Sequence, residues 1–536
     1  MKTIYINADV VTVDTQCERA QAFGVMDGRF AVVGTEAEVR AWGGDSATVV
    51  DLDGKTVVPG FIEGHNHLSY YSVRMDHADC SSPLNTRIDQ VLERLKVFVN
   101  KGDEDEWIIG FGYDDTLIED KRHLTRDELD QAGQGRPIAI THTSGHLAYI
   151  NSRAMELMGI PEDVENPEGG EFYRDDNGRL NGLISETALY TLYAVMPIPT
   201  CNELKGLIRR AVAQANKNGV TSIHDAAIGI EGSFGACVQA YRELADEGEL
   251  NLRAYLTILA DHYNEYLPLG MGTGFGTDYV RLGSVKLLQD GSIQGYTGWL
   301  SEPYHSRREE GHVSQPIMAQ EALDELVEKY HSQGLQVAIH GNGDAAIESI
   351  ILAVERAQEK FPRKDPRHLL IHCQTVREEQ LPRMKKAGIM PSYFINHVYY
   401  WGDRHRDIFL GPDRAARMNP LATSLKHGVT FSLHTDLPIT PIEPLRMIHA
   451  AVNRLTRNGN VLGEAERVSP LDAIRGVTLW AAATSFEEDI KGSITPGKLA
   501  DWVVLSDNPL TVAPETVDAL DILETVVGGK TVYKAE

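Results

Sequence analysis

Eight short apolar segments in the middle of the chain constrain its architecture more than any other feature. They cover residues 60–63, 220–225, 252–258, 284–288, 336–340, 369–373, 389–394 and 429–434, with helical stretches between them. Strands alternating with helices predict a parallel sheet, because a parallel crossover needs a helix-length connection. Eight such strands are the number that closes a (β/α)8 TIM-type barrel. At 536 residues the chain is too long for one ordinary core, so a barrel-sized domain and at least one smaller one are expected.

The ends of the chain have a different texture. Residues 4–13, 22–26, 29–33 and 48–51 are short alternating segments split by Gly and Asp, the pattern of a small all-β unit. After the turn-rich stretch Gly492-Ser493-Ile494-Thr495-Pro496-Gly497-Lys498-Leu499-Ala500-Asp501, strand-like segments return at 502–505 and 526–533. The economical reading is α/β: a β-sandwich domain built from both termini, residues 1–58 and 489–536, with a barrel over 59–488 set between them. Residues 80–200 exceed the eight-strand count and carry their own strands at 107–111 and 137–141, so they read as an insertion after barrel strand one.

Composition excludes several partners. A formal charge of -26 argues against nucleic acid and anionic membrane. No apolar run is long enough to span a bilayer, and the N-terminal segment lacks a signal-peptide core. Cys17, Cys80, Cys201, Cys237 and Cys373 are scattered and odd in number, which fits a reducing cytoplasm. The charge says nothing about the substrate.

The ends of the predicted strands carry the chemistry. The first runs into Gly64-His65-Asn66-His67, and side chains two apart on a strand point the same way. The second ends in His224-Asp225, the fourth carries Lys286, the fifth ends at His340, the sixth at His372 and the eighth in His434-Thr435-Asp436. Taken singly, each has an ordinary explanation: an ion-paired lysine, a hydrogen-bonded core histidine, a turn aspartate ahead of Leu437-Pro438. Taken together they stand where barrel strands converge on one mouth, and such a set suits a divalent cation. His312, His397, His405 and His427 have no such placement and read as surface residues or as residues behind the ligands.

In its order of motifs the chain resembles the amidohydrolase superfamily, and within it the amidohydrolase-3 branch of YtcJ-like proteins and N-substituted formamide deformylases. The motifs are Pro59-Gly60-Phe61-Ile62-Glu63-Gly64-His65-Asn66-His67, Ser144-Gly145-His146, Gly219-Val220-Thr221-Ser222-Ile223-His224-Asp225, Asp290-Gly291-Ser292, His340-Gly341-Asn342-Gly343-Asp344, Ile371-His372-Cys373-Gln374 and the 492–501 stretch. The resemblance implies that His65, His67 and Asp436 hold a first metal, that Lys286 is an N6-carboxylated bridge, and that His340 and His372 hold a second. One or two ions per chain are expected, zinc best by ligand type. Two departures stand out: Ile371 where Glu often precedes the strand-six histidine, and His434-Thr435-Asp436 in place of Gly-Ser-Asp.

The implied chemistry is hydrolysis of an amide, an N-substituted formamide or a cyclic amide by a metal-activated water. Asp436 would move the proton to the leaving nitrogen, and His224 or His146 would help polarise the carbonyl. Deamination or ester hydrolysis on the same site, and a silent regulatory homologue, are the alternatives. Relatives imply a homodimer.

Overall fold

The computed structural model describes residues 2–99, 106–115, 117–143, 147–167, 169–229, 234–306 and 311–536. Two compact units emerge, residues 1–71 with 201–536, and residues 72–200.

The larger unit contains an eight-stranded, nearly closed parallel sheet. In chain order its strands are Phe61–Asn66, Val220–Ile228, Arg253–Leu259, Val280–Leu288, Val337–Gly341, His368–His372, Ile389–Tyr393 and Ser432–Leu433, each paired with the next. All nine residues of Val220–Ile228 are buried, as a strand covered on both faces requires. Helices cover the outside by periodicity. Asp344–Lys360, after strand five, buries Ala346, Ile347, Ile350, Ile351, Ala353, Val354 and Ala357, one stripe at helical spacing.

The eighth strand is shorter than its apolar run predicts, since only Ser432 and Leu433 find ladder partners. The seam between strands eight and one is closed beyond it. His67 N–H donates to Leu437 O at 2.8 Å and Asp436 N–H to His65 O at 3.2 Å. The buried Glu63 carboxylate accepts from Thr435 N at 2.8 Å and from Thr435 Oγ1 at 3.0 Å. Gly64 lets the two strands meet: a Cβ there would lie 2.8 Å from Ser432 Oγ and 3.0 Å from Leu433 O.

The chain termini form two further sheets. One joins Arg29–Gly34, Ala22–Met26, Lys2–Ile6 and Thr48–Asp51; the other joins Lys530–Lys534, Ile522–Val527, Trp502–Leu505, Thr56–Pro59, Asp9–Val11 and Arg19–Ala20. The predicted single strand over 4–13 is therefore two, broken at Asn7 (φ 52°), and its halves enter different sheets. Likewise the run over 526–533 is a hairpin, turned at Gly528 and Gly529, whose φ values are 58° and 78°. Phe23, Phe30, Val57, Trp502 and Val526 share one buried core, with the Phe23 and Trp502 rings 5.2 Å apart. Arg253, on barrel strand three, holds Asp501 through two buried hydrogen bonds of 2.7 and 2.9 Å.

The smaller unit has its own six-stranded sheet, in the order Gly170–Arg174, Leu180–Glu186, Leu147–Ile150, Ile138–His142, Ile108–Tyr113 and Ala78–Asp79. Val91, Leu95, Ile108, Leu129, Ile138 and Ile140 lie in its core.

Candidate metal centre

At the carboxyl end of the barrel, His65 and His67 turn their Nε2 atoms towards one oxygen. Asp436 Oδ1 lies 3.6 Å from His65 Nε2 and 3.3 Å from His67 Nε2. His67 Nδ1 lies 2.9 Å from Ala226 O, and a carbonyl only accepts, so Nδ1 carries the proton and Nε2 presents a lone pair. Asp436 Oδ1 is buried and has no hydrogen-bond partner. Lone pairs facing one another at this spacing repel unless a cation lies between them, so these donors fit a divalent metal.

Lys286 stands beside this group, its Nζ 3.4 Å from His65 Nε2. His340 Nδ1 and His372 Nε2 face each other at 3.1 Å, and the His372 ring lies 5.5 Å from the His65 ring. Register sets the assembly: Lys286 pairs with Ala338, Leu288 with His340, and Gly341 with His372, so the three residues step along three adjacent strands towards their carboxyl ends. His67 and His340 keep 20% and 17% of their side chains accessible while His65 keeps 2%, so the set is reached from one side.

Burial tunes these groups. It pulls the Lys286 ammonium down to about 8, against the attraction of Asp436. It holds His340 at about 4, with Lys286 adding to the effect. The buried His65 and His372 are pushed well below the ordinary imidazole value, first by burial and then by neighbouring cationic groups. For Asp436 burial opposes ionisation, yet His67, His434 and Lys286 win and hold the carboxyl below its ordinary value. Neutral imidazoles and an ionised carboxylate are the protonation states a metal requires.

The backbone is strained at the same place. His372 (φ 70°), Cys373 (φ 48°) and Asp436 (φ 56°) occupy the left-handed region, which costs a non-glycine residue about 1–3 kcal/mol and persists where the surroundings over-determine it.

The structure brings His65, His67, Lys286, His340, His372 and Asp436 to one mouth. His224 is placed apart from them. It lies two residues below Ala226 on strand two, packs 4.9 Å from the Tyr255 ring, and senses the Lys491–Glu487 ion pair. Lys491 in turn bonds Ser222 Oγ at 2.6 Å. His146 lies outside the described residues.

Three features were hidden from sequence reasoning. His434 is buried and hydrogen-bonded to His372, Nε2 to Nδ1 at 3.0 Å, and its ring stacks on Phe394; its replacement of the usual glycine was the available signal. Asp290, pushed up to about 7 by burial, accepts from the N–H groups of Asn342, Gly343 and Trp299 and so ties the loop after strand five to the loop after strand four. His397 and His405, read from sequence as either surface residues or residues behind the ligands, are buried and paired through His397 Nδ1 and His405 Nε2 at 2.9 Å, a pairing no sequence signal gave.

The model of a family described as "Amidohydrolase family" matches residues 48–533. YtcJ of Bacillus subtilis is 28% identical to this chain, with all of both chains covered. The N-substituted formamide deformylase of Arthrobacter pascens is 29% identical, covering 99% of this chain and 98% of that protein. The crystal structure of an uncharacterised metal-dependent hydrolase from Pyrococcus horikoshii superposes with a TM-score of 0.79 at 25% identity, over 96% of this chain and 99% of that one.

Proposed function

This chain belongs to the amidohydrolase family and is a hydrolase of carbon–nitrogen bonds; from that premise we propose that its substrate is a small non-peptide amide, an N-substituted formamide or a cyclic amide. The carrying observation is the convergence of His65, His67 and Asp436 on one point, with Lys286 Nζ 3.4 Å from His65 Nε2 and the ring of His372, which faces His340, 5.5 Å from the ring of His65. The deformylase relative supports the formamide end of the range.

His65, His67 and Asp436 would hold one ion and His340 and His372 another, zinc being the metal that neutral imidazoles and a carboxylate suit best by availability. When bound, such an ion acidifies water and draws electron density from a carbonyl oxygen. Lys286 fits the bridging role once N6-carboxylated. Its amine, lowered to about 8 by burial, has a neutral fraction near neutral pH, and the neutral amine is the form that adds carbon dioxide. The carbamate is an anion with two oxygens, where the ammonium would repel both ions. Asp436 takes the proton of the attacking water and passes it to the leaving nitrogen, which departs as the neutral amine. We also read the two terminal sheets, which share the Phe23–Trp502 core, as one sandwich domain.

Elemental analysis of protein purified without chelator and with bicarbonate, followed by an amide and formamide panel, tests the reading. About two ions per chain, lost with activity in His372→Ala and Lys286→Ala, are the expected result. A metal-free protein that added zinc does not activate would overturn it.

A further inference from the structure

We propose that Asp114, Asp115 and His142, in the smaller unit, form a further metal site that shares no ligand with the barrel centre and takes a divalent cation of the Zn²⁺ or Mn²⁺ kind. It stands apart from the reading of the barrel, since none of the three residues belongs to the barrel.

Among the described residues, two groups of three His, Cys, Asp or Glu side chains bring one ligand atom each to within 4.8 Å of one another. One is His65, His67 and Asp436; the other is Asp114, Asp115 and His142. Strand register builds the second group. Tyr113 ends one strand of the smaller sheet opposite His142, which ends the parallel strand beside it. Thr143 N–H donates to Tyr113 O at 2.9 Å and holds the two ends together. Asp114 and Asp115 follow Tyr113 directly, so both carboxylates leave the sheet next to the imidazole. A turn then fixes them: Asp114 O accepts from Leu117 N at 3.2 Å and from Ile118 N at 3.1 Å. Ile118 is anchored in the unit's core, and the Tyr113 hydroxyl donates to Arg122 O at 2.7 Å.

Asp115 Oδ1 and His142 Nε2 are 3.1 Å apart. Two ligands each about 2.1 Å from one ion stand about 3.0–3.4 Å apart, so this spacing serves a cation without rearrangement. An Asp–His hydrogen bond accounts for that pair alone. The Asp114 carboxylate adds a third donor and a second negative charge, which a divalent ion matches and a single proton does not. Only 10% of the His142 side chain is accessible, against 23% for Asp115, so solvent and further ligands reach the group from the carboxylate side. Burial lowers His142 despite the pull of Asp114 and Asp115, which favours the neutral imidazole that a metal takes. His123 Nδ1 lies 3.7 Å from Asp115 Oδ1 but 2.8 Å from the Tyr149 hydroxyl, so Tyr149 engages it and it stays outside the donor set. Carboxylates suit Mn²⁺ and imidazole suits Zn²⁺; at a given nitrogen and oxygen site Zn²⁺ binds more tightly, which makes it the probe.

The test is equilibrium dialysis of the metal-stripped full-length protein against Zn²⁺, comparing wild type with Asp114→Asn, Asp115→Asn, His142→Gln and His67→Ala. Replacing an outer partner of a ligand already costs about 10–100-fold, so loss of a direct ligand should weaken one class of ion at least about tenfold. The expected result is such a class in each of the first three variants, with that same class kept at wild-type affinity in His67→Ala. Each of the three substitutions nearly preserves size, and any one of them that folds carries the test, with the thermal midpoint reporting the fold. The inference is overturned if every class of ion in the folded variants binds within about threefold of wild type, or if the class they weaken is also the one lost in His67→Ala. Failure of the barrel reading looks different: His67→Ala would then remove no class at all.

Discussion

Asp436 carries the heaviest demands of any single residue. It faces both histidines of strand one, bonds strand one through its own N–H, and holds a left-handed backbone. As the proton carrier it should govern turnover more than binding. In metal-saturated Asp436→Asn we expect kcat to fall at least about 100-fold, or about 2.7 kcal/mol of barrier. KM should stay within about threefold. Steady-state kinetics on the best substrate of the panel checks this, and a near-normal kcat would remove Asp436 from proton transfer. At this scale the sequence was most legible where residue type dictates chemistry. A histidine pair one residue apart at a strand end announces itself, while Glu63 and His434 matter only because distant residues lie against them.

Among elements, the seam between strands one and eight decides the site. Strand eight is only Ser432–Leu433, so Gly64, Glu63 and two backbone bonds supply the closure that a longer ladder would give. A methyl group at residue 64 would press on Ser432 Oγ at 2.8 Å and Leu433 O at 3.0 Å. Neither can retreat, since Ser432 is tied to Ser392 and paired in the sheet. Gly64→Ala should therefore cost about 1–3 kcal/mol of stability, read as a lower urea midpoint. It should weaken metal binding by more than that loss explains, because it separates His65 and His67 from Asp436. An unchanged midpoint and metal content would mean that the seam tolerates a wedge.

In the whole molecule, burial of neutral or paired polar groups sets two expectations. Arg253 and Asp501 form a buried pair between barrel strand three and the segment leading into Trp502–Leu505, and Asp501 also accepts from Gly528 N at 2.7 Å. Arg253→Met strands the carboxylate and should cost about 3–5 kcal/mol, whereas Arg253→Met with Asp501→Leu should recover much of that. Urea unfolding of both variants distinguishes a paired charge from simple packing. Separately, His224, His368, His397 and His405 are buried away from the metal-facing nitrogens. Burial lowers all four, His224 and His405 to about 3 and the other two well below the ordinary value. Each binds its proton more readily in the unfolded chain, so their contribution is intact above pH 6.5 and lost as pH falls. The slope reaches about 1.4 kcal/mol per pH unit for each ring. Glu63 and Asp290, raised by burial to about 8 and about 7, act in the opposite sense, so the rings are read by difference: replacing His224 or His405 with Leu should flatten the fall of the thermal midpoint below about pH 6.5, and an unchanged profile in both would contradict neutral burial of these rings.

What the sequence by itself determined is what local physics controls. The eight strands appear where apolar runs lie between helical stretches, because buried parallel strands need continuous apolar residues and helices need a 3.6-residue stripe. What only tertiary structure decided is which residues meet across long separations. Residues 4–13 split between two sheets at Asn7, since one left-handed residue redirects a chain whose apolar pattern looks continuous. His397 and His405 went inside because each offers the other a hydrogen-bond partner. His434 became the partner of His372, 62 residues away, because strands six, seven and eight stack their ends at one level. Patterning specifies that an element is buried; the partner that makes burying a polar group affordable is chosen by the packed chain.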